Sequence, residues 1–133
     1  MATGSPATDP IVNAIAAAEA GTTAEIRVHL SKRFFEKDPL KRAFRLFDRF
    51  DMARTRERNA VLIYINLRCR RFAVLGDQSA ERTLGQAYWR ELAASLAEDL
   101  RSTDPERAIA QAITRLGEKL RLHFPKNLAP KNP

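Results

Sequence analysis

An asparagine at position 59 and an aspartate at position 77 bracket two apolar runs, Ala60–Ile65 and Phe72–Leu75, with the polar stretch Asn66–Arg71 between them. Such runs, rich in Val, Ile, Leu and aromatics and joined by a short polar connection, read as a β-hairpin. Chain reversal in a hairpin places Asn59 beside Asp77 at one end of the sheet. Glu25, next to the Gly21-Thr22-Thr23 loop, opens an earlier strand, and Arg54, Arg56 and Arg58 occupy the loop that enters the hairpin. Carboxylate and amide oxygens are hard ligands suited to Ca2+ or Mg2+, and arginine forks match phosphate oxygens. The spacing predicts one rim at which Glu25, Asn59 and Asp77 could hold a divalent cation. A divalent or phosphate-related site at that rim is chemically coherent. The plainer alternatives are a turn or cap for Asp77, local hydrogen bonds for Asn59 and an arginine pair for Glu25.

Several elements must position that rim. Ala24–Leu30 alternates, with Ile26, Val28 and Leu30 on one face and Glu25, Arg27 and His29 on the other, as a half-buried strand does. The hairpin runs do not alternate cleanly, which predicts helices over both faces of the sheet. Asp9-Pro10, Asp38-Pro39 and Asp104-Pro105 each start a helix, because the carboxylate caps free N–H groups and proline lacks the N–H that would have no partner. The first helix runs to Gly21. The second carries Leu40, Ala43, Phe44, Phe47 and Phe50 or Met52 on its apolar side. Gln78–Leu84 reads as a loop or short helical turn, and Gly85–Leu100 as a long helix with Tyr88, Trp89, Leu92, Leu96 and Leu100 inward. A last helix, with Ala108, Ile109, Ala112, Ile113, Leu116 and Leu120 inward, is stopped by Pro125. A right-handed crossover makes the first strand parallel to the second. The expected class is α/β, a three-layer α/β/α sandwich around a small mixed sheet.

At 133 residues, 44% hydrophobic and 29% charged, the chain fits one soluble domain. No apolar stretch approaches a membrane span of about 20 residues, and the N-terminus lacks the pattern of a signal peptide. Cys69 is the single cysteine, so no intramolecular disulfide is possible and a cytoplasmic location is the expectation; a monomer is expected as well. The net charge of +7 permits an anionic partner only if it is concentrated on one face. The cluster at Arg54, Arg56 and Arg58 and the cluster at Arg68, Arg70 and Arg71 fall about 20 Å apart, at opposite ends of the sheet. No aromatic platform is interleaved with them, so nucleic acid is not an expected partner. His29 and His123 do not form a zinc spacing. No phosphate-cradling glycine loop, G-x-S-x-G or Cys/His pair is present, which disfavours nucleotide hydrolysis and acyl transfer.

The segments T-R-E-R-N-A-V-L-I-Y-I (Thr55–Ile65), R-F-A-V-L-G-D (Arg71–Asp77) and L-G-x-x-Y-W (Leu84–Trp89) resemble the TPM domain family. So do A-E-I-R-V (Ala24–Val28) and the closing L-x-x-H-F-P (Leu120–Pro125). The resemblance spans residues 9–125, with 1–8 and 126–133 as flexible ends. It implies an α/β/α sandwich, and places Glu25, Asn59 and Asp77 on the family's G-E-I, N-G-V-L and G-D positions. Some members bind calcium or other divalent ions in the loops at the strand ends, and plant thylakoid members are described as acid phosphatases. The chain departs from the family pattern at Ala24, at Ala60 and at Ser79, where the family has glycine or a glycine-bearing loop. The resemblance implies a binding or accessory module with a divalent ion and a protein partner. One alternative is a metal-assisted phosphatase, in which Asp77 ligates the ion or acts as a general base and Arg54, Arg56 or Arg58 orients a phosphate ester, and a basic surface for nucleic acid or anionic lipid is another.

Overall fold

The computed structural model describes residues 9–126. The expectations for residues 1–8 and 127–133 lie outside them. Helix α1 (Pro10–Glu19) begins where Asp9 Oδ1 accepts from the N–H groups of Ile11 and Val12 at 2.9 and 3.2 Å. The same device opens α2 (Pro39–Arg49), where Asp38 accepts from Lys41 N–H, and α5 (Pro105–His123), where Asp104 accepts from Arg107 N–H. Between them lie β1 (Ile26–Ser31), a short 3-10 turn (Met52–Arg54), β2 (Val61–Asn66), β3 (Arg71–Gly76), α3 (Gln78–Leu84) and α4 (Gln86–Ser102).

The strands form one sheet in the order β1-β2-β3, parallel between β1 and β2 and antiparallel between β2 and β3. Central β2 is buried along its whole length. Its Val61, Ile63 and Ile65 join Ile109, Ile113 and Leu116 in a core beneath α1, α4 and α5, whereas Leu62 and Tyr64 join Leu46, Phe47 and Met52 beneath α2. The expected three-layer sandwich is therefore present. Helix α1 crosses α5 at Gly117, where an added Cβ would lie 2.6 Å from Ala18 Cβ and 3.0 Å from Ala18 Cα.

Three expectations of detail differ. Ala43, Leu46 and Phe47 form the buried side of α2, while Leu40 and Phe44 are exposed, because the sheet takes the neighbouring apolar row of the helix. Leu30, expected on the apolar face, is 52% exposed near the end of an edge strand. Gln78–Leu84, expected as a loop or a short helical turn, is a seven-residue α-helix.

His29 lies beside the rings of Phe50 and Tyr64, with centroids 5.8 and 5.9 Å away. Burial, then the charges of Arg42, Arg49 and Arg27, lower its pKa below the ordinary 6.5. The unfolded chain therefore takes up the imidazole proton more readily than the folded one. The resulting stability is complete above pH 6.5 and is lost as the pH falls below that value. Urea melts between about pH 5 and pH 8 should show this loss on the acid side, and the His29→Phe variant should lack that contribution.

Candidate functional site

The start of β1, the start of β2 and the end of β3 share one edge of the sheet. Val61 N–H donates to Glu25 O and Asp77 N–H to Ala60 O, both at 2.8 Å, so Glu25, Asn59 and Asp77 arrive on adjoining backbone. The Gly21–Thr23 loop is tied to the end of α5. Thr22 Oγ1 donates to the carbonyls of Leu120 and Phe124, and Lys126 N–H donates to Gly21 O at 3.0 Å. Glu19 Oε2 accepts from Ile26 N–H at 2.6 Å, which joins α1 to the head of β1.

Two arginines of the entering loop close on the two carboxylates. Arg58 grips Asp77 with both arms of its fork, Nε to Oδ2 at 2.7 Å and Nη2 to Oδ1 at 2.9 Å. Asp77 Oδ1 also accepts from Gln78 N–H at 2.8 Å and so caps α3. The hydrogen bond to Asp77 raises the Arg58 pKa above its already high ordinary value. Arg54 Nη2 reaches Glu25 Oε2 at 3.1 Å while its Nη1 donates to Asp51 O at 2.9 Å. Arg56 is exposed on the same loop, outside both ion pairs. The loop turns through left-handed residues at Asp51 (φ 53°) and Arg58 (φ 52°), neither of them glycine. Such conformations are unfavourable for L-residues. At Arg58 the strained backbone carries the side chain that holds Asp77, and its carbonyl accepts from Ser79 N–H at 2.9 Å.

Asn59 is fully buried and its Nδ2 donates to Thr23 Oγ1 at 3.0 Å. Asn59 Oδ1 and Glu25 Oε1 are buried oxygens with no hydrogen-bond partner. A buried oxygen without a donor is costly, and these two have the hard donor chemistry that Ca2+ and Mg2+ take. Glu25 and Asn59 thus fit such an ion, whereas both oxygens of Asp77 are engaged by Arg58. Among the described residues no group of three or more His, Cys, Asp or Glu is gathered for a metal. Asp77 inside the Arg58 fork could serve as a base only if that pair opened.

Sequence reasoning brought Glu25, Asn59, Asp77 and the loop of Arg54, Arg56 and Arg58 to one rim; all lie there, with Arg56 alone among the three arginines outside the ion pairs. It missed Thr23 as the partner of Asn59, since a threonine in a loop carries no distinguishing signal. It also passed over K-R-F-F-E-K, Lys32–Lys37, at the other end of the sheet. Two adjacent phenylalanines among basic residues, outside any periodic segment, were the available signal there. Among the described residues, no helix is long and apolar enough to cross a membrane.

The comparisons with known proteins bear on the whole architecture. No curated protein matches the chain. Among solved structures, it is similar to the NMR structure of BA42 from the psychrophilic bacterium Bizionia argentinensis. The two share 28% sequence identity and a TM-score of 0.82, over 97% of this chain and 90% of that one. The TPM domain matches residues 5–119, a span that holds all three strands, the rim and all but the last turn of α5, and the chain belongs to the TPM domain family.

Proposed function

We propose that this TPM domain is a cation-binding interaction module whose divalent site lies on the Glu25, Asn59 and Asp77 rim. The observation that carries the reading is the pair of buried oxygens without donors, Glu25 Oε1 and Asn59 Oδ1, on loops that meet at one sheet edge. Glu25 and Asn59 would hold the ion, and Asp77 would join them on leaving Arg58. Bound Ca2+ or Mg2+ would supply positive charge that fixes these loops in one arrangement. The residues themselves give the surface: rigid strands beneath, and the 21–25, 54–60 and 76–78 segments displayed above them for a protein partner.

The test is a calcium titration at millimolar ion, followed by backbone amide NMR shifts. Shifts confined to residues 21–25, 54–60 and 76–82, and weakened in Glu25→Gln, support the reading. Their absence removes the cation. Hydrolysis of a generic phosphate ester that survives purification and is lost in Asp77→Ala would replace the module by a phosphatase.

A further inference from the structure

The end of the sheet remote from Asn59 and Asp77 has an inverted arrangement of polar and apolar side chains. In the loop that joins β1 to α2, Glu36 is buried while its neighbours Phe34 and Phe35 are 72% and 89% exposed. The inversion is built in. Glu36 Oε1 accepts from the Tyr64 hydroxyl and from Asn66 Nδ2, two buried groups of β2. Asn66 Nδ2 also donates to Arg33 O at 3.1 Å, and Cys69 Sγ, in the hairpin turn, donates to the carbonyls of Arg33 and Phe34. The loop is therefore pinned by its polar atoms to the hairpin, and its two aromatic rings are left pointing outward. Leu67 at the hairpin tip adds a third exposed apolar side chain, at 44%.

Around these rings the exposed charge is predominantly basic. Lys32, Arg33 and Lys37 of the loop and Arg68, Arg70 and Arg71 of the hairpin are all exposed. Of the nearby acids, Glu36 is buried against Tyr64 and Asn66, 4.0 Å from Arg33 Nη1, and Asp38 is exposed and caps α2. Arg68 lies over the Phe34 ring, 4.2 Å from its centroid. Next to the hairpin, a groove includes Arg70, Arg71 and Arg101 together with Leu67, Phe72 and Leu100.

We infer that this rim docks on an anionic lipid surface, with Phe34, Phe35 and Leu67 entering the headgroup boundary and the basic side chains meeting acidic headgroups. Charge complementarity and the projecting rings together select that occupant. Aromatic and aliphatic side chains gain by entering the interface, while Lys and Arg around them gain from the negative surface potential and keep their charged ends in water. A base-stacking platform needs open ring faces along a groove. Here one face of Phe34 is covered by Arg68, and Phe35 stands out from the loop.

Vesicle co-sedimentation of the full chain is the test, comparing phosphatidylcholine alone with phosphatidylcholine containing about 30 mol% phosphatidylserine. The parent should sediment with the acidic vesicles only, and addition of salt from about 0.1 to 0.5 M should release it. Phe34→Ser/Phe35→Ser should bind about tenfold or more weakly with little change in melting temperature, because both rings are largely exposed and only Arg68 covers a face of Phe34. Lys32→Ser/Lys37→Ser/Arg71→Ser should weaken binding by about fivefold per charge removed. No sedimentation of the parent overturns the inference, as does equal binding by the double phenylalanine variant. Preferential capture of a single-stranded oligonucleotide through the same phenylalanines would assign the rim to nucleic acid and also overturn it.

Discussion

Gly117→Val should destabilise the fold by about 3 kcal/mol, read as a lower urea midpoint with an unchanged slope. In an open helix, glycine to alanine stabilises by about 1 kcal/mol, because glycine pays more backbone entropy. At position 117 the sign should reverse even for alanine. The new Cβ would meet Ala18 Cβ at 2.6 Å and the backbone Cα of Ala18 at 3.0 Å, and a backbone atom cannot rotate away. Relief requires α1 to move off α5. Since Glu19 at the end of α1 holds Ile26 N–H, that movement would also disturb the head of β1 and Glu25 beside it. Ala18→Gly should recover part of the loss in the Gly117→Ala background, and a double-mutant cycle would measure the coupling.

Asp77→Ala should cost about 2 kcal/mol and abolish any cation-induced shifts at the rim. About 1 kcal/mol of that is the helix cap that Asp77 gives α3. The rest is the fork with Arg58, which is discounted because the Arg58 side chain is 42% exposed while Asp77 is only 6% exposed. Asp77→Asn, which retains a capping oxygen but loses the charge, should fall between parent and alanine in thermal melts. A cost for alanine indistinguishable from that for asparagine would show that the cap contributes little.

The placement of the rim was legible because it follows from topology. A hairpin must return its end to its start, and a right-handed crossover sets the direction of the first strand, so positions 25, 59 and 77 meet whatever their side chains do. The three Asp-Pro starts were legible because capping is local. Which carboxylate meets which arginine was not. The pairing depends on left-handed turns at Asp51 and Arg58, and without glycine nothing in the sequence marks them. In α2 two apolar rows compete, Leu40 with Phe44 and Ala43 with Leu46, and only the position of the sheet decides between them. The outward turn of Phe34 and Phe35 was hidden for a related reason, since it follows from Glu36 finding Tyr64 and Asn66, nearly thirty residues away.

Every residue of β2 is enclosed, and strands flank it on either side. Hydrogen exchange should therefore find its amide protons among the slowest in the molecule, released by global rather than local opening. Asn59 and Ala60 lead directly into this spine, and Asn66 leaves it at the other end. Both ends of the sheet are thus anchored to the same enclosed segment.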